Sequence, residues 1–356
     1  MPYSIPSLSD IASTLLRDIR NQLPDADTGP DSDYAIRANS IASAVSGLYQ
    51  YQSWIVRQIF PDTADHDYLV MHCRVRNITP KQATPAGGSV IFTGTAGTPL
   101  PQGLQFRPTG SSQLYQTTVA ATVGPGGSVT VAAASTTPGS ASNVPDNTSA
   151  TLMTTPSGVD GTVTITKMSG GTDDETDASL LARLLEVIRR PPAGGNKYDY
   201  HMWAMSVSGV TQAYVYPLRR GYGTVDVVII ANNDLPSAAT LQAVQAYIDD
   251  QRPVTAKDTL ILAPTEIETD VTIHVSLSEL SLDDARAQII GAITDYFNRL
   301  APGEIAVRTQ IGALVSDISG VIDYVIVTPT QNITPTVDQN TVQWVRPGVI
   351  TVGLLS

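Results

Sequence analysis

Residues 170–190 read Gly-Gly-Thr-Asp-Asp-Glu-Thr-Asp-Ala-Ser-Leu-Leu-Ala-Arg-Leu-Leu-Glu-Val-Ile-Arg-Arg, and two kinds of chain meet there. The acidic start suits a helix N-terminus, where free N–H groups and the positive end of the dipole favour Thr172 and the carboxylates. The spacing of Leu180, Leu184, Leu185 and Ile188 predicts a helix from about Thr176 to Arg190, with Arg189-Arg190 at its C-terminus and Pro191-Pro192 ending it. A second helix, about Lys197 to Ser208, follows the loop Ala193-Gly194-Gly195.

Upstream, from Pro80 to Gly171, Thr, Gly, Ser, Ala, Val and Pro dominate and charge nearly vanishes. Short β-favouring runs lie between turn signals: Ser89–Thr93, Leu104–Arg107, Gln113–Thr118, Ser128–Ala134, Ala150–Met153 and Thr162–Met168. Several alternate, as Val163 and Ile165 do against Thr162, Thr164 and Thr166. This predicts a β-sandwich or small barrel with its own core.

The first ~80 residues read as a helical arm. Ser7 or Ser9 caps a helix to about Leu23, with Ile11, Leu15, Leu16 and Ile19 on one stripe. A longer helix runs from about Tyr34 to Phe60 and stops at Pro61. Ile36, Ile41, Val45, Leu48, Trp54, Ile55 and Ile59 recur along it at helical spacing. A third helix, Asp65 to Val75, carries Leu69 and Cys73 inward. The long helix has more apolar surface than an arm of this size buries alone. Ile41, Val45, Leu48, Trp54 and Ile55 are therefore the candidate partner-interface residues.

From Val210 onward strands and helices alternate. Gln212–Leu218 and Val225–Ile230 are strands, Ser237 starts a helix that ends before Pro253, and Thr259–Leu262 is the next strand. The pattern then recurs: a strand at Asp270–Leu277, an amphipathic helix from Ser281 to Leu300, Ala306–Arg308, a short helix near Thr309–Ser316, and strands at Ile322–Val327 and Val342–Val345. This order suggests two small ferredoxin-like α+β units. The expected architecture is a multidomain α+β chain: arm 1–79, β-rich domain 80–170, helical connector 171–209, and α+β units 210–265 and 266–356.

The whole chain of 356 residues has a formal net charge of −12, and only 15% of its residues are charged. That is below the usual ~25%. Neither nucleic acid nor an anionic membrane is expected as partner, since both need a basic footprint. Four of the 21 basic residues are lysines, and lysine is depleted at protein interfaces. A single cysteine, Cys73, excludes an internal disulfide. Residues 1–10 lack a signal-peptide pattern, and no run of ~18 apolar residues is present to span a membrane. A soluble protein made in the cytoplasm is expected.

Residues for catalysis are sparse. His66, His72, His201 and His274 show no zinc spacing. His201 has Asp199 and Tyr200 beside it and stands out among them, but a helix residue at an interface is the preferred account of it. The Gly-rich pieces 94–97, 124–127 and 221–223 fit neither a phosphate loop nor a dinucleotide fingerprint, and read as turns. No G-x-S-x-G is present, and Cys73 sits in an apolar helical pattern. Glu175, Asp249-Asp250 and Asp283-Asp284 fall at helix starts or solvated faces. Asp173 to Asp177 lacks the central glycine and distal glutamate of a calcium loop. No enzyme activity, cofactor or metal is expected.

Four stretches carry a resemblance. They are Gln82-Ala83-Thr84-Pro85-Ala86-Gly87-Gly88-Ser89-Val90; Leu100-Pro101-Gln102-Gly103-Leu104-Gln105-Phe106 with Gln113-Leu114-Tyr115-Gln116-Thr117; Gly170 to Arg190, followed by Gly195-Asn196 and Gly209 to Pro217; and Gly223 to Ile230. In this order they resemble the baseplate J-like family, the wedge proteins of Mu-like and P2-like contractile phages. The match covers about residues 1–265, and the C-terminal unit matches mainly by arrangement. The resemblance implies a structural wedge subunit in the virion tail baseplate, assembled in the bacterial host cytoplasm and ringing the central spike hub. The implied partners are a second copy, a smaller tail wedge protein and other baseplate proteins near hub and sheath. The ring would change shape when the tail contracts. Two competing readings exist: a glycan-binding tail or surface protein, suggested by the Thr/Gly-rich module and tyrosines such as Tyr115, and a hydrolase using the acidic helix starts.

Overall fold

A computed structural model describes residues 4–355, which divide into two compact units. The first unit holds residues up to Thr79 together with Asp177–Leu185. Its helices are α1 (Leu8–Gln22), α2 (Asp33–Ile59), α3 (His66–Val75) and the first part of α4 (Asp177–Arg189). Ser7 starts α1 with a reciprocal cap: its hydroxyl accepts the Asp10 N–H at 3.2 Å, and the Asp10 carboxylate accepts the Ser7 N–H at 3.0 Å. Helices α1 and α2 pack together, and their fully buried apolar residues are alanines: Ala12, Ala35, Ala38 and Ala42. Side chains this small let helix axes approach closely. Leu69 and Cys73 of α3 are buried as expected, as are Leu180 and Leu184 of α4.

The second unit begins with eight strands: β1 (Gly87–Thr93), β2 (Pro99–Leu100), β3 (Gln105–Pro108), β4 (Tyr115–Thr117), β5 (Ala121–Thr122), β6 (Ser128–Ser135), β7 (Thr148–Leu152) and β8 (Thr162–Ser169). Six of them close a barrel in the order β1-β6-β4-β3-β7-β8, all neighbours antiparallel, while β2 and β5 form a small ribbon. The module is therefore a barrel, not a sandwich. Val90, Phe92, Phe106, Tyr115, Val131, Val163 and Ile165 fill it. Their alternation with Thr and Ser is the period-2 pattern of a strand with one buried face. A register shift at Ser89/Val90 marks closure of β1 on β8. There Gly88 approaches the Lys167 carbonyl so closely that a Cβ would lie 1.8 Å from it, so only glycine fits.

The acidic run before α4 also bonds N–H groups of the barrel's own chain. Asp173 accepts from the Ser140 N–H at 2.8 Å and hydroxyl at 2.6 Å, Asp174 from the Ala83 N–H at 2.8 Å, and Glu175 from the Lys81 N–H at 3.0 Å. Thr84 and Thr172 exchange backbone bonds at 2.9 and 3.1 Å. These carboxylates clasp the chain that enters the barrel to the chain that leaves it. An N–H group left free by a loop attracts a carboxylate as well as one at a helix start does.

Next come α5 (Lys197–Ser206), β9 (Gln212–Pro217), β10 (Thr224–Ile230), α6 (Ala238–Gln251) and β11 (Asp258–Leu262). The sheet order is β11-β10-β9, with β9 antiparallel and β11 parallel to β10, so α6 is the crossover of a βαβ turn. Tyr200, Ala204, Val227, Ile229, Val244 and Ile248 form its core. Asp226 on β10 is fully buried and held by Arg219 at 2.6 Å and Arg220 at 2.8 Å. Burial on that scale requires paired charge.

The last part holds β12 (Thr265–Leu277), α7 (Leu282–Arg299), α8 (Arg308–Ser316), β13 (Val321–Thr328) and β14 (Gln343–Leu354). Its sheet runs β13-β12-β14, with β13 antiparallel and β14 parallel to β12. Ile273, Ile289, Ile293, Phe297 and Ile311 lie in its core, and the Trp344 indole donates to the Leu300 carbonyl at 2.7 Å.

The ferredoxin-like expectation is not confirmed: each unit has a three-stranded mixed sheet, short of the β-α-β-β-α-β pattern. Ala306 makes only an isolated bridge to Ile333, and α5 precedes its sheet where a second crossover would be needed. β14 also runs well past the expected Val342–Val345. Pro347-Gly348 would ordinarily stop a strand. Here a register shift at Thr269/Val271 absorbs them, and the Asp270 carboxylate accepts the Val349 N–H at 2.8 Å.

Candidate partner interface

Helix α2 starts at Ser32, whose hydroxyl accepts the Ala35 N–H at 3.1 Å. Its alanine face is buried. On another face Ile41, Leu48 and Ile55 recur every seventh residue and are 51, 60 and 40% exposed. A seven-residue apolar spacing keeps one stripe aligned with a neighbouring helix. Ile36, Tyr51 and Ile59 add to the exposed apolar surface. Of the expected set, Ile41, Leu48 and Ile55 are exposed, and Val45 and Trp54 are half-buried. Val56 and Phe60 are also exposed. They fall beside the periodic positions, so spacing alone does not single them out.

Trp54 is locked in place. Its indole N–H donates to the Asp65 carboxylate at 2.7 Å, Tyr51 stacks on it at 5.6 Å, and Tyr68 meets it edge-on at 5.4 Å. Buried Gln58 accepts the Asp65 N–H at 2.8 Å, and His72 bonds the Gln58 carbonyl at 2.8 Å. A large aromatic with a satisfied N–H and few free rotamers is a low-entropy anchor for a partner.

The remaining singled-out residues do not converge. His66 pairs with Asp177 at 2.6 Å, and His201 lies 3.2 Å from Glu186. His274 sits on the β12 face away from the core. Cys73 is buried. Among the described residues no group of three or more His, Cys, Asp or Glu side chains is gathered to hold a metal.

Family models match three consecutive parts of the chain: the Baseplate J-like protein barrel domain at residues 89–171, the Baseplate J-like central domain at 192–262, and the Baseplate J-like protein C-terminal domain at 269–353. Baseplate protein gp47 of Escherichia phage Mu is 31% identical over 93% of this chain and 95% of its own. The chain belongs to the baseplate J-like family. The Mu-like prophage FluMu protein gp47 of Haemophilus influenzae is 32% identical over 83% of this chain and 86% of its own. The phage-like element PBSX protein XkdT of Bacillus subtilis is 27% identical over 80% and 82%. Among solved structures, a chain of the anti-feeding prophage baseplate aligns over 93% of this chain and 90% of its own, with 14% identity and a TM-score of 0.38.

Proposed function

We propose that this baseplate J-like protein is a structural wedge subunit of a contractile tail baseplate, without enzymatic activity or cofactor, located in the virion tail. Its modules are the five segments 1–79, 80–170, 171–209, 210–265 and 266–356. The relatives' names support the baseplate role. The observation that carries the subunit reading is the exposed apolar stripe of α2, with Ile41, Leu48 and Ile55 beside the fixed Trp54. A stripe of this size on a soluble chain marks a surface that another polypeptide covers. On this reading α2 packs against a second copy and a smaller tail wedge protein, and the remaining modules touch other baseplate proteins between hub and sheath. Contraction then acts through this ring. Neither nucleic acid nor membrane is a partner. The net charge of −12 opposes both, and among the described residues no helix is long and apolar enough to cross a membrane.

The glycan-binding alternative loses its motivating feature. Tyr115 and Phe106 stack on each other inside the barrel, and the Tyr115 hydroxyl donates to the Ser142 carbonyl at 2.7 Å. Neither ring is available to a sugar.

Light scattering on the purified chain, alone and with the tail partner, tests the reading. The expected result is a concentration-dependent dimer or larger complex that Leu48→Asp with Ile55→Asp abolishes. A monomer at high concentration with the partner present overturns it.

A further inference from the structure

The two three-stranded sheets have four outer edges, and side chains bond backbone groups along three of them. On β11 the Gln245 amide donates to the Thr259 carbonyl at 3.0 Å and accepts the Ile261 N–H at 2.9 Å, filling the place of a neighbouring strand. On β13 the Asp323 carboxylate accepts the Tyr324 N–H at 2.8 Å, and Arg308 donates to the carbonyls of Ile326 at 3.1 Å and Pro329 at 2.9 Å. On β14, Arg286 donates to the Val352 carbonyl at 3.3 Å. Native sheets block edge-to-edge pairing by such means.

β9 has no such cap among the described residues. The Leu218 N–H donates to the Thr224 carbonyl at 2.9 Å, and the register runs without slip from Pro217↔Val225 to Gln212↔Ile230. Antiparallel alternation then turns the peptide groups of Gln212, Tyr214 and Tyr216 toward β10 and those of Ala213 and Val215 outward.

Beside this edge is a cleft of about 220 Å³, lined by β9 residues 213–215 and by Glu186, Arg190, Lys197, Tyr198 and His201. In a chain of net charge −12, this cleft sets two permanent cations and a histidine against one carboxylate. Arg190 lies 4.0 Å and Lys197 5.0 Å from the Tyr198 ring centre. The His201 Nδ1 is 3.2 Å from Glu186 but off line for a hydrogen bond, and is buried without a hydrogen-bond partner.

We propose that β9 is a docking strand for an extended, acidic segment of another protein. The segment adds alongside β9 through the peptide groups of Ala213 and Val215, and one of its carboxylates enters the cleft against Arg190, Lys197 and His201. The arm takes no part, so this inference goes beyond the baseplate reading and stands apart from it.

Titration of the full chain with two blocked peptides tests it: acetyl-Thr-Val-Glu-Val-Asp-Val-Thr-amide and the same peptide with lysine in place of both acids. The acidic peptide is expected to bind at least tenfold more tightly, with hydrogen-exchange protection appearing at Ala213 and Val215. Arg190→Glu with Lys197→Glu, both at exposed positions, reverses the preference. Val215→Pro removes one outward donor and no ladder bond, and weakens the acidic peptide at least tenfold. Equal binding of the two peptides, or acidic-peptide binding that survives either variant, overturns the proposal. A dimer of the unliganded chain that Val215→Pro abolishes overturns it too, by assigning the edge to a second copy. Association through α2, read separately by light scattering, is unaffected by any of these results.

Discussion

The Lys81 ammonium lies 3.8 Å from the Glu175 carboxylate, with the two side chains only 9 and 1% exposed. The same ammonium donates to the Val210 carbonyl at 2.7 Å, joining the barrel's entry segment to the loop before β9. Removing one member of a buried pair leaves the other charged and poorly solvated, at a cost of about 3–5 kcal/mol. Lys81→Met is expected to cost about 3 kcal/mol at most, the low end of that range, because Glu175 keeps the Lys81 N–H and further contacts of its own. Lys81→Met with Glu175→Gln should recover part of the loss. Urea unfolding of the parent chain and the two variants checks the order.

Trp54 reports on the joint between α2 and α3. Asp65 receives the Trp54 indole N–H at 2.7 Å and lies 3.3 Å from the Gln58 amide nitrogen. Asp65→Ala leaves both donors without this acceptor. A hydrogen bond to a charged group is worth about 1.5–3 kcal/mol, and the value expected here is at the low end because the site is partly solvated. The Trp54 emission should shift to the red as the ring loosens, while Asp65→Asn holds an intermediate position. An unshifted spectrum in Asp65→Ala would mean that ring stacking alone holds Trp54.

The reach of the sequence differed between regions for physical reasons. All six barrel strands were legible because inward apolar residues alternate with outward polar ones between turn signals, Gln105 and Arg107 flanking Phe106 in β3 as Thr and Ser do elsewhere. The order of those strands was not, since β1 pairs with both β6 and β8 across long stretches of chain. The exposed line Ile41, Leu48 and Ile55 could be read from its spacing, but the partial burial of Trp54 could not. Its partner Asp65 stands beyond the helix that carries it. The Asp173–Glu175 run has the composition of a helix start, and nothing local shows that its carboxylates also take the N–H groups of Ser140, Ala83 and Lys81. Nothing local marks β9 as an edge, because edge status depends on the strand order of the whole sheet.

His66 gives the helical unit a pH response. The Asp177 carboxylate at 2.6 Å holds the His66 imidazolium above the ordinary histidine value, first through the hydrogen bond and then through charge. A value raised on folding means that the protonated form is favoured in the folded chain. Its contribution is fully present below the ordinary value of about 6.5. The contribution disappears as pH rises through the raised value. Both side chains are exposed, so the effect on stability is small and salt-sensitive. An NMR titration of the His66 ring should show the upward displacement, and Asp177→Asn should lower it. An unchanged midpoint in that variant would remove the pair as the cause.

Gln245 holds the β11 edge closed, and its removal should change solubility more than stability. Gln245→Ala forfeits the bonds to Thr259 and Ile261 and an exposed bond to the Asp249 carboxylate. At about 1 kcal/mol per neutral bond, the two bonds to the strand are worth about 2 kcal/mol together, and less where water reaches the freed groups. What water cannot replace is the steric block. Once it is gone, β11 offers an N–H and a carbonyl in strand spacing, with Leu260 already exposed beside them, and such an edge recruits a second strand. The variant should therefore self-associate with increasing concentration while its circular dichroism stays native. Gln245→Glu separates the two effects: its carboxylate still accepts the Ile261 N–H, but it cannot donate to Thr259 and it adds a charge that opposes edge pairing. It should lose part of the stability and stay as soluble as the parent chain. Equal light-scattering masses for the alanine variant and the parent at every concentration would show that the β11 edge needs no guard.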